Sequence, residues 1–272
     1  MRRVVLRGLR DAAGALGRAV AGDEYAHDVR AGWAPPSKPA RGTLPVIVVV
    51  LTFTTGVVDA VSYLGLGRVF TGLQTGNVVV LGFALAGTEG FSVAPPAVSL
   101  ASFFVGAWLG GRLAAHLSRR HRRWFSLALF IEALLVAVAA AAAAGLPTDV
   151  ATARRLVVVA LLAAGMGLRS ATVRRLAVPE VTTTVVTSTI TALAADSAVP
   201  GAGFTRRLWR LATIAIRLVG AVAGALLVRV SLFVPFLLVA SLIAVAAGAY
   251  LAPVVVRERR RSRSAGPPGG GS

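Results

Sequence analysis

The chain has no cysteine in its 272 residues, which excludes disulfides, iron–sulfur ligation and thiolate catalysis. Acidic residues are scarce as well: 11 Asp and Glu stand against 29 Lys and Arg, a net charge of +18. Histidine occurs only as His27, His116 and His121, none with metal-ligand spacing on an apolar segment. There is no G-x-S-x-G elbow and no phosphate-binding glycine loop. Hydrolase, metalloenzyme and nucleotide chemistry therefore lack a carrier, so the chain is read as non-enzymatic, with no metal and no cofactor. Lys38 is the only lysine beside abundant Arg, Ala, Val and Gly, a composition that fits a GC-rich bacterial genome.

What is abundant is apolar. Hydrophobic residues make up 56% of the chain and the mean hydropathy is +0.75, above the roughly 45–50% of an average globular protein. The excess is clustered in runs at Pro45–Leu66, Pro96–Leu117, Trp124–Leu146, Leu156–Val173, Leu211–Val230 and Leu232–Ala252. Each is long enough to cross a hydrocarbon core of about 30 Å as a helix. The chain is an integral membrane protein.

The positive charge sits at the edges of these runs, in the tails and in the short loops SRRHRRW (118–124), Arg174–Arg175 and TRRLWR (205–210). That placement suits a cytoplasmic face held against anionic lipid. A nucleic-acid surface would need folded basic patches interleaved with aromatics, and none is present. Residues 1–43 read as a cytoplasmic basic, amphipathic tail and linker, whose first twenty residues could lie on the membrane. Residues 256–272 read as a disordered basic C-terminal tail.

Between the tails the chain reads as two related halves, 44–146 and 147–255. VFTGLQTGNVVVLGFA from Val69 aligns with VTTTVVTSTITALAAD from Val181, about 112 residues on. Gly56-Val-Val-Asp59-Ala60 aligns with Gly167-Leu-Arg-Ser170-Ala171, VGAWLGGRL from Val105 with VGAVAGALL from Val219, and ALLVAVAA from Ala133 with SLIAVAAG from Ser241. Four anchors in one order indicate a duplication, which in membrane proteins puts the site at the repeat interface.

Two segments, Val78–Ala86 and Val185–Ala195, are apolar but short, and segments of that length are more often re-entrant than spanning. If both re-enter, six helices cross. Nine loop arginines (Arg119, Arg120, Arg122, Arg123, Arg174, Arg175, Arg206, Arg207 and Arg210) then lie inside, against Arg68, Arg154, Arg155 and Arg229 outside. If both cross, there are eight short spans and the bias reverses. The positive-inside rule favours six. The expected fold is all-α, with six transmembrane helices in two inverted three-helix repeats, each with a short re-entrant or broken helix. Both termini face the cytoplasm, and the expected location is the bacterial inner membrane.

The segments GVVDAVSYLGLGRVFTGLQTGNVVVLG (56–82) and GLRSATVRRLAVPEVTTTVVTSTITALAAD (167–196) resemble the two signature regions of the YoaK-like family. The resemblance covers roughly residues 45–255 and implies a small bacterial inner-membrane protein of about six spans, with no established reaction. The chain departs from the family at Ser188, where Gly is commoner, and at Arg169–Ser170, near which a Gln-Asn pair is usual.

Asp59 is the sharpest candidate site residue. It lies two-thirds of the way along the first span, where a charge costs about 2.5–3.5 kcal/mol to insert. It is read as a proton- or cation-binding carboxylate, or as an interhelical hydrogen-bonding group. Thr75, Gly76 and Asn77 open the first short segment, and Thr187, Ser188 and Thr189 the second. Helix starts there would offer free N–H groups to a solute, or the same side chains would simply cap them. Glu132 is expected to pair with Arg169 or Arg217 inside the membrane. The small-residue stretches Gly106–Gly111 and Gly220–Ala225 read as close-packing faces between the halves, or as a homo-oligomer contact. The resulting function is a small-solute transporter or channel. The alternative is a lipid-binding, sensory or assembly protein whose buried polar residues only specify packing.

Overall fold

Backbone polar groups in hydrocarbon have no water to bond, so apolar runs of about twenty residues become helices that satisfy themselves. In the computed structural model this holds for six helices long and apolar enough to cross a membrane, the limits falling at Pro45–Gly65, Ala94–His116, Arg123–Ala143, Ala153–Arg174, Leu208–Leu227 and Phe233–Ala252. The structure describes residues 44–116, 121–144, 153–175, 189–191, 193–194 and 204–264. The helices are α1 (Leu44–Gly65), α2 (Gln74–Leu85), α3 (Ala94–His116), α4 (His121–Ala143), α5 (Ala153–Arg175), α6 (Phe204–Leu227) and α7 (Phe233–Ser264). Among the described residues there is no strand.

The fold is all-α with six candidate spans, as the apolar runs predict. At 12 residues, α2 is about 18 Å long at 1.5 Å per residue, too short to cross. Eight complete crossings are thereby excluded for the first short segment. Its partner in the second half falls mostly outside the described residues, with Thr189–Thr191 helical. One boundary differs from expectation. The basic segment after Val256 continues α7 as far as Ser264, and the rest of the expected tail, 265–272, lies outside the described residues. Arg and Glu are good helix formers, and the Gly/Pro stretch that would stop them starts only at Gly266.

Layering follows a regular rule. In the spans of α1 and α5 the buried share is 67% and 61%, in α4 and α7 it is 50% and 44%, and in α3 and α6 only 22% and 17%. The first helix of each half is thus central, the third intermediate and the second outermost. Phe104 and Trp108 on α3, and Leu218, Val219 and Val222 on α6, are exposed apolar side chains of the kind a bilayer covers.

The glycines explain how the centre closes. A methyl group at Gly56 would overlap the Arg217 carbonyl and crowd the Ala221 nitrogen. One at Gly167 would overlap the Phe103 carbonyl and crowd the Ala107 nitrogen. Across the same seams, Gly220 lies on the Phe53 carbonyl and Gly224 on that of Val57, while Gly106 lies on Ala164 and Gly110 on Leu168. The α1–α6 seam and the α3–α5 seam are therefore built from equivalent residues, and each joins the first helix of one half to the second helix of the other. Only glycine permits backbones so close.

Two further contacts fix helix direction. Phe125 at the start of α4 stacks edge-on against Tyr250 at the end of the α7 span, with ring centroids 5.1 Å apart. Gly65, ending α1, faces Leu232 just before α7. The two third helices, α4 and α7, thus run antiparallel.

Candidate binding site between the first and sixth helices

After α1 the chain turns through Gly67, with φ of 95°, and Arg68, with φ of 56°, a left-handed pair that ends the helix. Tyr63 stacks on Phe70 at 4.7 Å, holding the returning loop against α1. The start of α2 is then fixed by Asn77, which is fully buried. Its Oδ1 accepts from the Phe70 N–H at 2.9 Å. Its Nδ2 faces the Phe70 carbonyl, Gln74 Oε1 and Ser99 Oγ at 2.6, 2.8 and 3.0 Å. Ser99 Oγ donates to the Phe70 carbonyl at 2.7 Å. Asn77 is therefore a clamp between loop, α2 and α3, with its hydrogen-bonding capacity committed to the protein.

The other sequence candidates near α2 do not line a site in the same way. Thr75 is exposed, and α2 has no side-chain N-cap bond. Gly76 sits against the Phe70 ring and Leu73, where any side chain would push the ring aside. Thr189 is buried, while Thr187 and Ser188 lie outside the described residues.

Asp59 instead anchors the loop that leads into α2. Its Oδ1 accepts from the Gly72 N–H at 2.9 Å, and the backbone N–H groups of Thr71 and Leu73 also face the carboxylate. These donors belong to the loop just before α2, close to the positive end of its dipole, which favours negative charge. Gly72 is required for this approach, since a methyl there would crowd both Met166 and Asp59 Oδ1. On the other side, Arg217 Nη2 of α6 donates to Asp59 Oδ2 at 2.6 Å. Asp59 is thus an ion-paired carboxylate that ties the loop before α2 to α1 and α6.

The second intramembrane pair is Arg169 with Glu132, at 2.6 and 2.9 Å, on α5 and α4. Of the two partners the sequence allows for Glu132, the structure selects Arg169 and assigns Arg217 to Asp59. Arg169 also donates to the Leu51 carbonyl at 3.0 Å, to Thr55 Oγ1 at 2.9 Å and to Thr54 Oγ1 at 3.3 Å. Both partners are almost completely buried. This network closes the centre between α1, α4 and α5.

The Asp59–Arg217 pair differs in being partly open, with side-chain exposures of 10% and 19%. It borders a recess of about 270 Å³ lined by Gly56, Asp59, Ala60, Tyr63, Leu64, Phe70, Leu73, Arg217 and Ala221. Sequence reasoning missed the roles of Gly72, Gln74 and Ser99. Ser99 is 22 residues from Asn77 on another helix, and nothing local in the sequence marks it.

The family described as "Protein of unknown function (DUF1275)" matches residues 47–250, from early in α1 to the middle of α7. The chain belongs to the DUF1275 family. A relative named "UPF0700 transmembrane protein YoaK" from Bacillus subtilis (strain 168) is 40% identical over 57 residues. That stretch is 21% of this chain and 25% of the relative. No solved structure matches the chain. With six helices long and apolar enough to span a bilayer among its described residues, the chain is a membrane protein of that family.

Proposed function

We propose that this DUF1275 protein is a small-solute transporter or channel of the bacterial inner membrane, with its site at the Asp59–Arg217 pair. One observation carries the reading: of the two intramembrane ion pairs among the described residues, this one is partly exposed and borders a recess, while Arg169–Glu132 is almost completely buried. A charged pair at membrane depth is costly and ordinarily marks a pathway or a binding site. The pair also joins the two halves, since Asp59 belongs to the first and Arg217 to the second. Binding at such a seam could be coupled to movement of one half against the other.

The inverted arrangement is part of this proposal. The antiparallel α4 and α7, and the equivalence of the two glycine seams, support it. So does the arginine distribution, which favours cytoplasmic termini and contact of the loops with anionic lipids. No chemical transformation is assigned to the chain. Reconstituted protein should move a labelled solute under an imposed proton gradient, where protein-free liposomes do not.

A second reading has its own support. Asn77 and the Arg169–Glu132 pair make their contacts within the protein, as packing devices would. Under this reading Asp59 and Arg217 likewise only join helices, and the protein binds lipid, senses or assists assembly without transport.

A further inference from the structure

The recess beside Asp59 has an unbalanced electrostatic make-up. Two positive sources converge on one carboxylate: the Arg217 guanidinium at 2.6 Å and the N–H groups of the loop just before α2, of which Gly72 lies at 2.9 Å. The Arg217 contact is end-on, through Nη2 to Oδ2, while Oδ1 is engaged by Gly72. A guanidinium carries five N–H donors in a planar fork suited to bidentate carboxylate or phosphate binding. Among the described residues, its remaining donors have no hydrogen-bond partner. The side chain keeps 19% of its surface exposed.

The rest of the recess is apolar, with Ala60, Leu64, Leu73 and Ala221 beside the stacked rings of Tyr63 and Phe70. Leu64 is 56% exposed, so the recess meets the outer surface of the bundle there. The recess also abuts α6, the least buried of the spans. Leu64 is the last residue but one of α1, so in a bilayer this opening lies toward the membrane interface, where an amphiphile keeps its charge and its apolar chain side by side. At about 270 Å³ the recess falls just below the usual range of small-molecule sites, roughly 300–1,000 Å³.

We propose that this recess binds an amphiphilic anion, its carboxylate or phosphate on the free edge of the Arg217 guanidinium and its apolar chain along Tyr63, Leu64 and Leu73. The inference deepens the transport reading by naming a substrate class for the same site, and rests on it for any claim of movement. The same chemistry could come from a free carboxylate with a short apolar chain or from an anionic lipid headgroup.

Native mass spectrometry of the full chain, released from neutral detergent, separates these sources. The probes are octanoate, octanol, acetate and phosphatidylglycerol. Octanoate should add one equivalent, and octanol and acetate at least tenfold less at equal concentration. Arg217→Lys, which keeps the charge but loses the fork, and Leu64→Trp, which narrows the mouth, should each weaken octanoate at least tenfold. Circular dichroism and thermal melting confirm that both variants fold. Phosphatidylglycerol that octanoate displaces identifies the lipid as a source; octanoate alone identifies the free anion.

The proposal is overturned if octanol binds as well as octanoate, if no anionic probe binds, or if both folded variants bind octanoate like the parent. Binding without flux in liposomes would overturn the transport reading alone. Flux of another solute without anion binding would overturn this proposal alone.

Discussion

Arg217 reaches 2.6 Å from Asp59 across the seam between α6 and α1, so a carboxylate from the first half of the chain neutralises a guanidinium from the second. Asp59→Asn keeps shape but strands the cation at membrane depth. Removing one partner of a buried pair typically costs about 3–5 kcal/mol, whereas replacing both can be nearly neutral. Because the pair is partly exposed, a loss of about 2–3 kcal/mol is expected. The double variant Asp59→Asn/Arg217→Gln should recover most of it. Thermal unfolding in detergent of the four proteins of the cycle measures the coupling.

The glycine seams make a paired prediction. Gly56→Ala and Gly167→Ala each force a methyl into a backbone carbonyl of the opposing helix. Each should destabilise the protein by about 2 kcal/mol or more, the upper part of the overpacking range. Gly248, with open space around its Cα, should accept alanine and gain about 0.5–1 kcal/mol of helix stability. Melting temperatures of the three variants test whether the two seams are equivalent.

Much of this architecture was legible because hydrophobic length and glycine spacing act through the backbone alone. The apolar runs mark the six candidate spans within a few residues, and the repeat pairs Gly56 with Gly167 and Gly106 with Gly220, the residues found on equivalent seams. What could not be read was which charges meet. Glu132 had two arginines at comparable depth, and the choice depends on α5 packing beside α4 while α6 packs beside α1. Asn77 was legible as important but not as a clamp, because three of its four partners depend on the fold of the loop and on Ser99 of α3. Asp59 as the anchor of the loop before α2 was invisible for the same reason: the two are joined only when the loop returns past Gly72.

Topology can be probed directly because the chain has no native thiol. His116→Cys, at the exposed end of α3, should react with an impermeant maleimide only after the cells are opened. Glu89→Cys, in the exposed turn after α2, should react in intact cells. Reaction of both from the same side would refute the six-span arrangement.

Asn77→Asp tests the clamp. The aspartate preserves the Oδ1 acceptor for the Phe70 N–H but turns a donor toward the Phe70 carbonyl and Gln74 Oε1 into an acceptor. Leaving buried acceptors unpaired beside a new charge should cost at least about 3 kcal/mol. Protease cleavage in the loop between α1 and α2 should rise accordingly, while Thr75→Ala, on the exposed face, should leave it unchanged.

The claim that the Asp59–Arg217 pair is a transport site is tested most directly by flux through reconstituted protein. Parent protein and the Asp59→Asn/Arg217→Gln variant, matched for folding and amount, are compared in liposomes under an imposed proton gradient with a panel of labelled small solutes, short-chain carboxylates included. The account predicts at least one solute that the parent moves at ten times or more the rate of protein-free liposomes and that the variant does not move. Parent flux no greater than in empty liposomes for every solute, or equal flux through the folded variant, would contradict it.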